Sequence, residues 1–168
     1  MTTDPGPEPF ATPRLDALPL RVAHADEMAA VLADPALHTF TGGAPDTPEA
    51  LRARYARQTA GSPDPDETWW NWVLRERGEG PLIGYVQATV HGARAEIAWV
   101  VGTPWQGCGY AREAARALVT HLYGTGVRTA VAHIHPEHAA SAAVAAAAGL
   151  RRTGEWEDGE ERWESALG

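Results

Sequence analysis

The chain has 168 residues, with 22 acidic side chains against 14 basic ones and a formal net charge of −8. That length suits one domain with its own core and argues against two. The charge excludes the basic footprint of a nucleic-acid binder, the single cysteine excludes an internal disulfide, and the longest near-apolar run, "AASAAVAAAAGL" from Ala139, is too short to span a bilayer.

Residues 1–13, "MTTDPGPEPFATP", carry four prolines and little to bury. They read as a mobile leader, followed by one domain over 14–168. They lack the charged start and apolar stretch of a secretory signal, so the expected location is the cytoplasm. "RLDALPLRVA" reads as a first strand. "HADEMAAVLAD" has apolar residues at 28, 31 and 32 and stops before Pro35, which predicts a helix. "PALHTFTGGAPD" is a loop. "TPEALRARYARQTAG" is a second helix, with Thr47 as N-cap, Pro48 at its first position and Gly61 at its end. "TWWNWVLRE", "PLIGYVQATV" and "AEIAWVV" follow, separated by the turns "GEG" and "HGAR", and form an antiparallel meander. Gly84 in the middle strand marks a bulge.

"GYAREAARALVTHLYG" places Ala111, Ala114, Ala115, Leu118, Val119 and Leu122 on one helical side, with Arg112, Glu113, Arg116, Thr120 and Tyr123 on the other. "RTAVAHI" is a strand and "EHAASAAVAAAAG" a helix. "GEWEDGEERWESAL" is a hairpin turning on Asp158-Gly159. The order is β-α-α-β-β-β-α-β-α-β-β: about seven strands and four helices in one layered α/β (α+β) domain.

The stretch "VVGTPWQGCGYAREA" joins a strand to a helix through two glycines. A dinucleotide fingerprint needs a third glycine where Arg112 stands, and an acid about twenty residues on, where "GTGVRTA" has none. A P-loop needs a lysine, and every basic residue here is arginine. Cys108 near a helix N-terminus is a candidate nucleophile for hydrolysis, but no neighbouring residue offers a base. A backbone anion site on the first helical amides remains, beside a plain strand–helix corner.

"QGCGYA", Gln106–Ala111, resembles the Gln/Arg-x-x-Gly-x-Gly/Ala signature of the Gcn5-related N-acetyltransferases (GNAT). "HPEHAASAAVAAAAGLRRTG" is similar to the Pro-Glu-Asn-x-x-Ser…Leu-Gly-Phe segment of that family's RimJ/RimL-like branch. The resemblance covers about Arg14 to Leu167. It implies a mostly antiparallel central sheet and acetyl-CoA as co-substrate. The pyrophosphate would lie on the amides of Gly107, Cys108, Gly109, Tyr110, Ala111 and Arg112, after Gln106. The pantetheine arm would pair with Trp99, Val100 and Val101 where two strands splay apart. His138 stands where the family has Asn beside the cofactor arm. No metal is implied, and branch members are monomers or homodimers.

Acetyl transfer to an amine requires loss of the amine proton, stabilisation of an oxyanion and protonation of the thiolate. The resemblance gives Glu96 as the proton relay and Ser141 as the acid near the sulfur. The family's tyrosine, four residues after the serine, is Ala145 here. His133 and His135 are two apart and share a strand face, so His133 is a second candidate base. His133, His135 and His138 also raise a zinc reading, which lacks an acidic or cysteine partner nearby. The acceptor site is expected between the first two helices, their loop "LHTFTGGAPD", the Trp69–Trp72 strand and the last hairpin. The net charge points to a cationic amine. A non-catalytic acyl-CoA sensor on the same fold is the alternative.

Overall fold

The computed structural model describes residues 6–166. Residues 1–5 of the expected leader and 167–168 of the expected domain lie outside that range. Eight strands form one sheet: β1 (Phe10–Ala11), β2 (Leu15–Pro19), β3 (Glu67–Glu76), β4 (Leu82–His91), β5 (Arg94–Val101), β6 (Thr129–Ile134), β7 (Arg151–Glu157) and β8 (Glu160–Ala166). Their spatial order is β1-β2-β3-β4-β5-β6-β8-β7. Every pairing is antiparallel except β5 with β6. Four helices accompany them: α1 (Ala25–Val31), α2 (Pro48–Ala60), α3 (Tyr110–Gly124) and α4 (Ala139–Ala147).

The sheet has one strand more than the seven expected. Phe10 and Ala11, inside the stretch read as a leader, pair with Ala17 and Asp16. The cause is Phe10, whose ring meets Trp72 edge-on at 5.4 Å and stacks on His121 at 4.9 Å. The Trp72 indole N–H, otherwise buried, donates to the Glu8 carbonyl at 2.8 Å.

Local signals set several boundaries. Thr47 Oγ1 accepts from the Ala50 amide at 3.1 Å, Pro48 opens α2, and Gly61 ends it at φ 91°. Asp158 and Gly159, with φ of 51° and 79°, form the two-residue hairpin tip between β7 and β8. α1 is shorter than its apolar pattern, because 3-10 turns at Val22–His24 and Pro35–His38 flank it.

Period-two alternation divides the core between the two sheet faces. On one face Trp72, Leu74, Val86, Ala95, Ile97, Ala130, Ala132 and Ile134 pack against Ala114, Leu118 and Leu122 of α3 and Ala145 of α4. On the other, Val73 and Leu82 pack against Met28 and Val31 of α1 and Leu51 and Tyr55 of α2. β5 pairs with β6 only over Arg94–Glu96 and Thr129–Val131. Beyond Glu96 the two strands separate, leaving a wedge beside Ile97–Val101.

Candidate active site

The wedge has three chemical features: a glycine turn at its mouth, a carboxylate–imidazole contact near its apex, and a cavity along one wall. The turn follows a 3-10 segment, Thr103–Trp105, and leads into α3. Gly107 and Gly109 adopt φ of 79° and 83°, which a side chain would strain. At Gly107 a Cβ would meet nothing within 4 Å, so that side of the turn is open to a ligand. Gly109 is the N-cap of α3 and offers no side-chain cap, so the first amides of a 15-residue helix face outward. This arrangement fits a pyrophosphate held by backbone amides.

Gln106 behaves differently from the rest of the turn. Its side-chain amide donates back to the Val101 carbonyl at 2.9 Å, which fixes the corner and occupies one backbone acceptor of the wedge. Trp99 and Val100 have no strand partner on the β6 side. Ala111 is half-buried, and Arg112 is exposed with no ion-pair partner among the described residues. Cys108 is exposed; its sulfur meets the Gln106 carbonyl at 3.7 Å, and no histidine bonds to it among the described residues.

Near the apex the fold brings Glu96 and His133 together from strands 37 positions apart in sequence. His133 Nδ1 lies 2.9 Å from Glu96 Oε1. His133 Nε2 lies 3.3 Å from Glu157 Oε2, a β7 residue for which the sequence offered no role. A neutral imidazole donates to only one of these carboxylates at a time. The two nitrogens point in opposite directions, so Glu96 and Glu157 do not converge on one ion. No group of three or more His, Cys, Asp or Glu among the described residues could hold a metal.

His135 does not share the strand with His133, because β6 ends at Ile134. His135 Nδ1 accepts from the Glu137 amide at 3.1 Å and its ring meets Phe40 at 5.1 Å. His138, the N-cap of α4, stacks on Phe40 at 4.4 Å and 15°. Burial, and then the neighbouring His135, hold the His138 ring below the usual imidazole pKa. Its Nε2 is 3.3 Å from Ser141 Oγ in the first turn of α4. Phe40 belongs to the loop after α1. This loop is expected from sequence at the acceptor site, but the stacking of Phe40 on His138 arises only when the folded chain brings the loop against α4.

A cavity of about 420 Å³ lies between α1, α2 and the sheet. Its lining includes Leu32, Tyr55, Trp69, Asn71, Tyr85, Gln87 and Val100. A smaller hollow of about 280 Å³ shares Trp69, Asn71 and Gln87 and reaches Glu67 and Thr89. Thr89 pairs across β4–β5 with Glu96, so the hollow continues toward the Glu96–His133 contact. Trp69 and Asn71 thus face the cavity, while Trp70 and Trp72 face the α3 core. Burial pushes the Tyr55 and Tyr85 phenols upward, so both stay neutral donors. Asp46 at the cavity edge is paired with Arg54 at 3.1 Å.

A mixed sheet thus splays beside a glycine turn and a helix N-terminus. The family model described as "Acetyltransferase (GNAT) domain" matches residues 14–151, and the chain belongs to that family. It is an acyl-CoA-dependent N-acetyltransferase.

Solved structures share the fold at low identity. A GNAT-family acetyltransferase from Bacillus anthracis superposes with a TM-score of 0.79 at 19% identity, over 95% of this chain and 98% of that one. RimL, a ribosomal L7/L12 alpha-N-protein acetyltransferase solved with CoA, gives 0.79 at 16%, over 95% and 98%. The microcin C7 self-immunity acetyltransferase MccE, solved with acetyl-CoA and AMP, gives 0.76 at 14%, over 92% and 93%. No curated protein matches in sequence. No helix among the described residues is long and apolar enough to cross a membrane.

Proposed function

We propose that this is a cytoplasmic enzyme that transfers acetyl from acetyl-CoA to a primary amine by direct attack, with both substrates bound together. The single observation that carries the reading is the wedge: β5 loses β6 after Glu96, and the glycine turn opens onto the same gap. The solved relatives that hold CoA or acetyl-CoA on this fold support the choice of donor. Bound there, acetyl-CoA supplies an activated thioester carbonyl. Amides from Gly107 to Arg112 hold its phosphates, and the edge of Trp99 and Val100 orients its arm, the Val101 carbonyl being taken by Gln106. His138 flanks the arm from α4.

The chain's own groups then handle protons. An alkylammonium has a pKa of about 10, so the acceptor arrives protonated near neutral pH. Glu96 takes that proton, and His133 orients the Glu96 carboxylate through the 2.9 Å contact. As the C–N bond forms and the C–S bond breaks, Ser141, held by His138 at 3.3 Å, donates a hydrogen bond to the leaving sulfur, and the proton the attacking nitrogen sheds ends on the departing thiol. The acceptor's body fills the cavity between α2 and β3–β5, with Trp69 available to stack on it. Asp46 is already neutralised by Arg54, so the carboxylates that greet an incoming ammonium are Glu67 and Glu96.

The test follows free thiol release from acetyl-CoA with N-terminal peptides, amino acids and alkyl polyamines as acceptors, and mass analysis of the acceptor. Acetylated amine is expected, and Glu96→Gln should slow its formation. Tight acetyl-CoA binding without acetylation of any amine would contradict the proposal.

A further inference from the structure

The helix pattern sets Glu113 on the solvent side of α3, one turn into the helix whose N-terminus faces the phosphates. A carboxylate there repels a polyanion. The structure withdraws it from solvent instead. Glu113 Oε1 accepts from Arg14 Nε at 2.8 Å; Glu113 Oε2 accepts from the Arg14 amide at 3.0 Å and from the Thr12 hydroxyl. Burial raises the Glu113 carboxyl, but these bonds outweigh it and leave the pKa below the usual carboxylate range. The ion pair is therefore kept at working pH.

The same guanidinium reaches the glycine turn. Arg14 Nη1 donates to the Cys108 carbonyl at 2.9 Å, and the group lies 4.3 Å over the Tyr110 ring. Across a planar trans peptide, a carbonyl and the following N–H point in opposite directions. Fixing the Cys108 carbonyl on Arg14 therefore aims the Gly109 N–H away from Arg14, toward the other side of the turn. A Cβ on Gly109 would sit 3.4 Å from Arg14 Nη2, so the guanidinium lies directly behind the turn.

We propose that Arg14 is a positioning residue for phosphate recognition: it cancels the Glu113 charge and aims the turn's amides. This rests on the reading that the turn holds the CoA pyrophosphate. Arg14 does not touch the reacting atoms. It acts through Cys108, Gly109 and Glu113.

The experiment is calorimetric titration of the whole protein with CoA and with pantetheine, which lacks the phosphates. Wild type should bind CoA well and pantetheine far more weakly; equal affinities would sink the turn reading itself and this proposal with it. Arg14→Ala should weaken CoA binding about tenfold, the scale of a lost charge-assisted contact, and leave pantetheine binding unchanged. Arg14→Lys should fall between, because a point charge cannot span Glu113 and the Cys108 carbonyl as a planar fork does. Arg14→Ala combined with Glu113→Gln should regain part of the loss. Glu113→Gln alone keeps the arginine in place and should bind CoA at least as tightly as wild type, which holds the proposal to account if Arg14→Ala fails to fold. An unchanged CoA affinity in Arg14→Ala, an equal loss for CoA and pantetheine, or weakened CoA binding in Glu113→Gln would overturn it.

Discussion

Gly84 is the position where a single methyl group should do most damage to the wedge. It lies on β4 opposite Val101, and the two strands approach closely there. A Cβ on Gly84 would sit 2.9 Å from Val101 Cα and 3.1 Å from the Val100 carbonyl carbon, with the Val100 carbonyl oxygen closer still. All three are backbone atoms, so no rotamer change relieves the overlap, and β4 must move away from β5. Overpacking of this kind costs about 1–3 kcal/mol, and backbone obstruction puts Gly84→Ala at the upper end, about 2–3 kcal/mol. For a domain of this size that is a fall in Tm of roughly 4–12 °C. Gly124 is the matched control. A Cβ there meets nothing within 4 Å, and the residue ends α3. Gly124→Ala should be neutral or stabilise by up to about 1 kcal/mol through helix propensity. Scanning calorimetry of both variants, with CoA titration of each, gives the answer. Gly84→Ala should also weaken CoA binding, because the displaced segment is the free edge of the wedge. A Gly84→Ala protein melting within about 2 °C of wild type would refute the close-packed β4–β5 junction.

Three further outcomes are expected. Glu96→Gln should lower kcat/KM by about 10²–10³-fold with CoA affinity intact, and the deficit should narrow as pH rises toward the amine's own pKa; a uniform deficit across pH would remove Glu96 from the proton path. Phe10→Ala removes a ring half-buried on Trp72 and His121, and should cost about 1–2 kcal/mol, or roughly 2–8 °C in Tm. Melting at the wild-type temperature would return residues 6–11 to a dispensable leader. Burial holds His24, His121 and His138 below the usual imidazole pKa, with nearby Arg21 and Arg75 adding to it at His24. The unfolded chain then binds more protons than the fold as pH falls below about 6.5, so Tm should drop between pH 7.5 and 5.5. Below the ordinary carboxylate range the loss should continue, as Glu161, held low by Arg152, and Glu113 take up protons. A Tm that is flat or rises on acidification contradicts the buried histidines.

Features written in local chemistry were legible before folding. Thr47-Pro48 and Gly61 bracket α2 because caps act on their own helix, and Asp158-Gly159 turns a hairpin by its own backbone preference. The order of the elements and the glycine turn were readable for the same reason. What escaped depends on partners distant in sequence. Phe10 reads as part of a proline-rich tail until Trp72 and His121 are placed beside it. Glu113 falls on the polar side of a helical wheel, yet Thr12 and Arg14, about a hundred positions earlier, draw it inward. The candidate site was half legible. Glu96 and His133 could each be picked out, but their contact follows from the parallel register of β5 on β6, and Glu157 joins them only through the closing hairpin. His135 was placed on the strand by counting, whereas the strand ends before it at Ile134.

The proposed mechanism brings acyl donor and amine together in the gap between β5 and β6. A crystal structure of the protein with CoA and an acceptor amine tests it most directly. Phosphates are expected on the amides of Gly107–Arg112, the arm along Trp99–Val101, the sulfur beside Ser141, and the amine nitrogen between that sulfur and Glu96. CoA bound away from the glycine turn, or an amine reached by neither Glu96 nor an ordered water bonded to it, would contradict it.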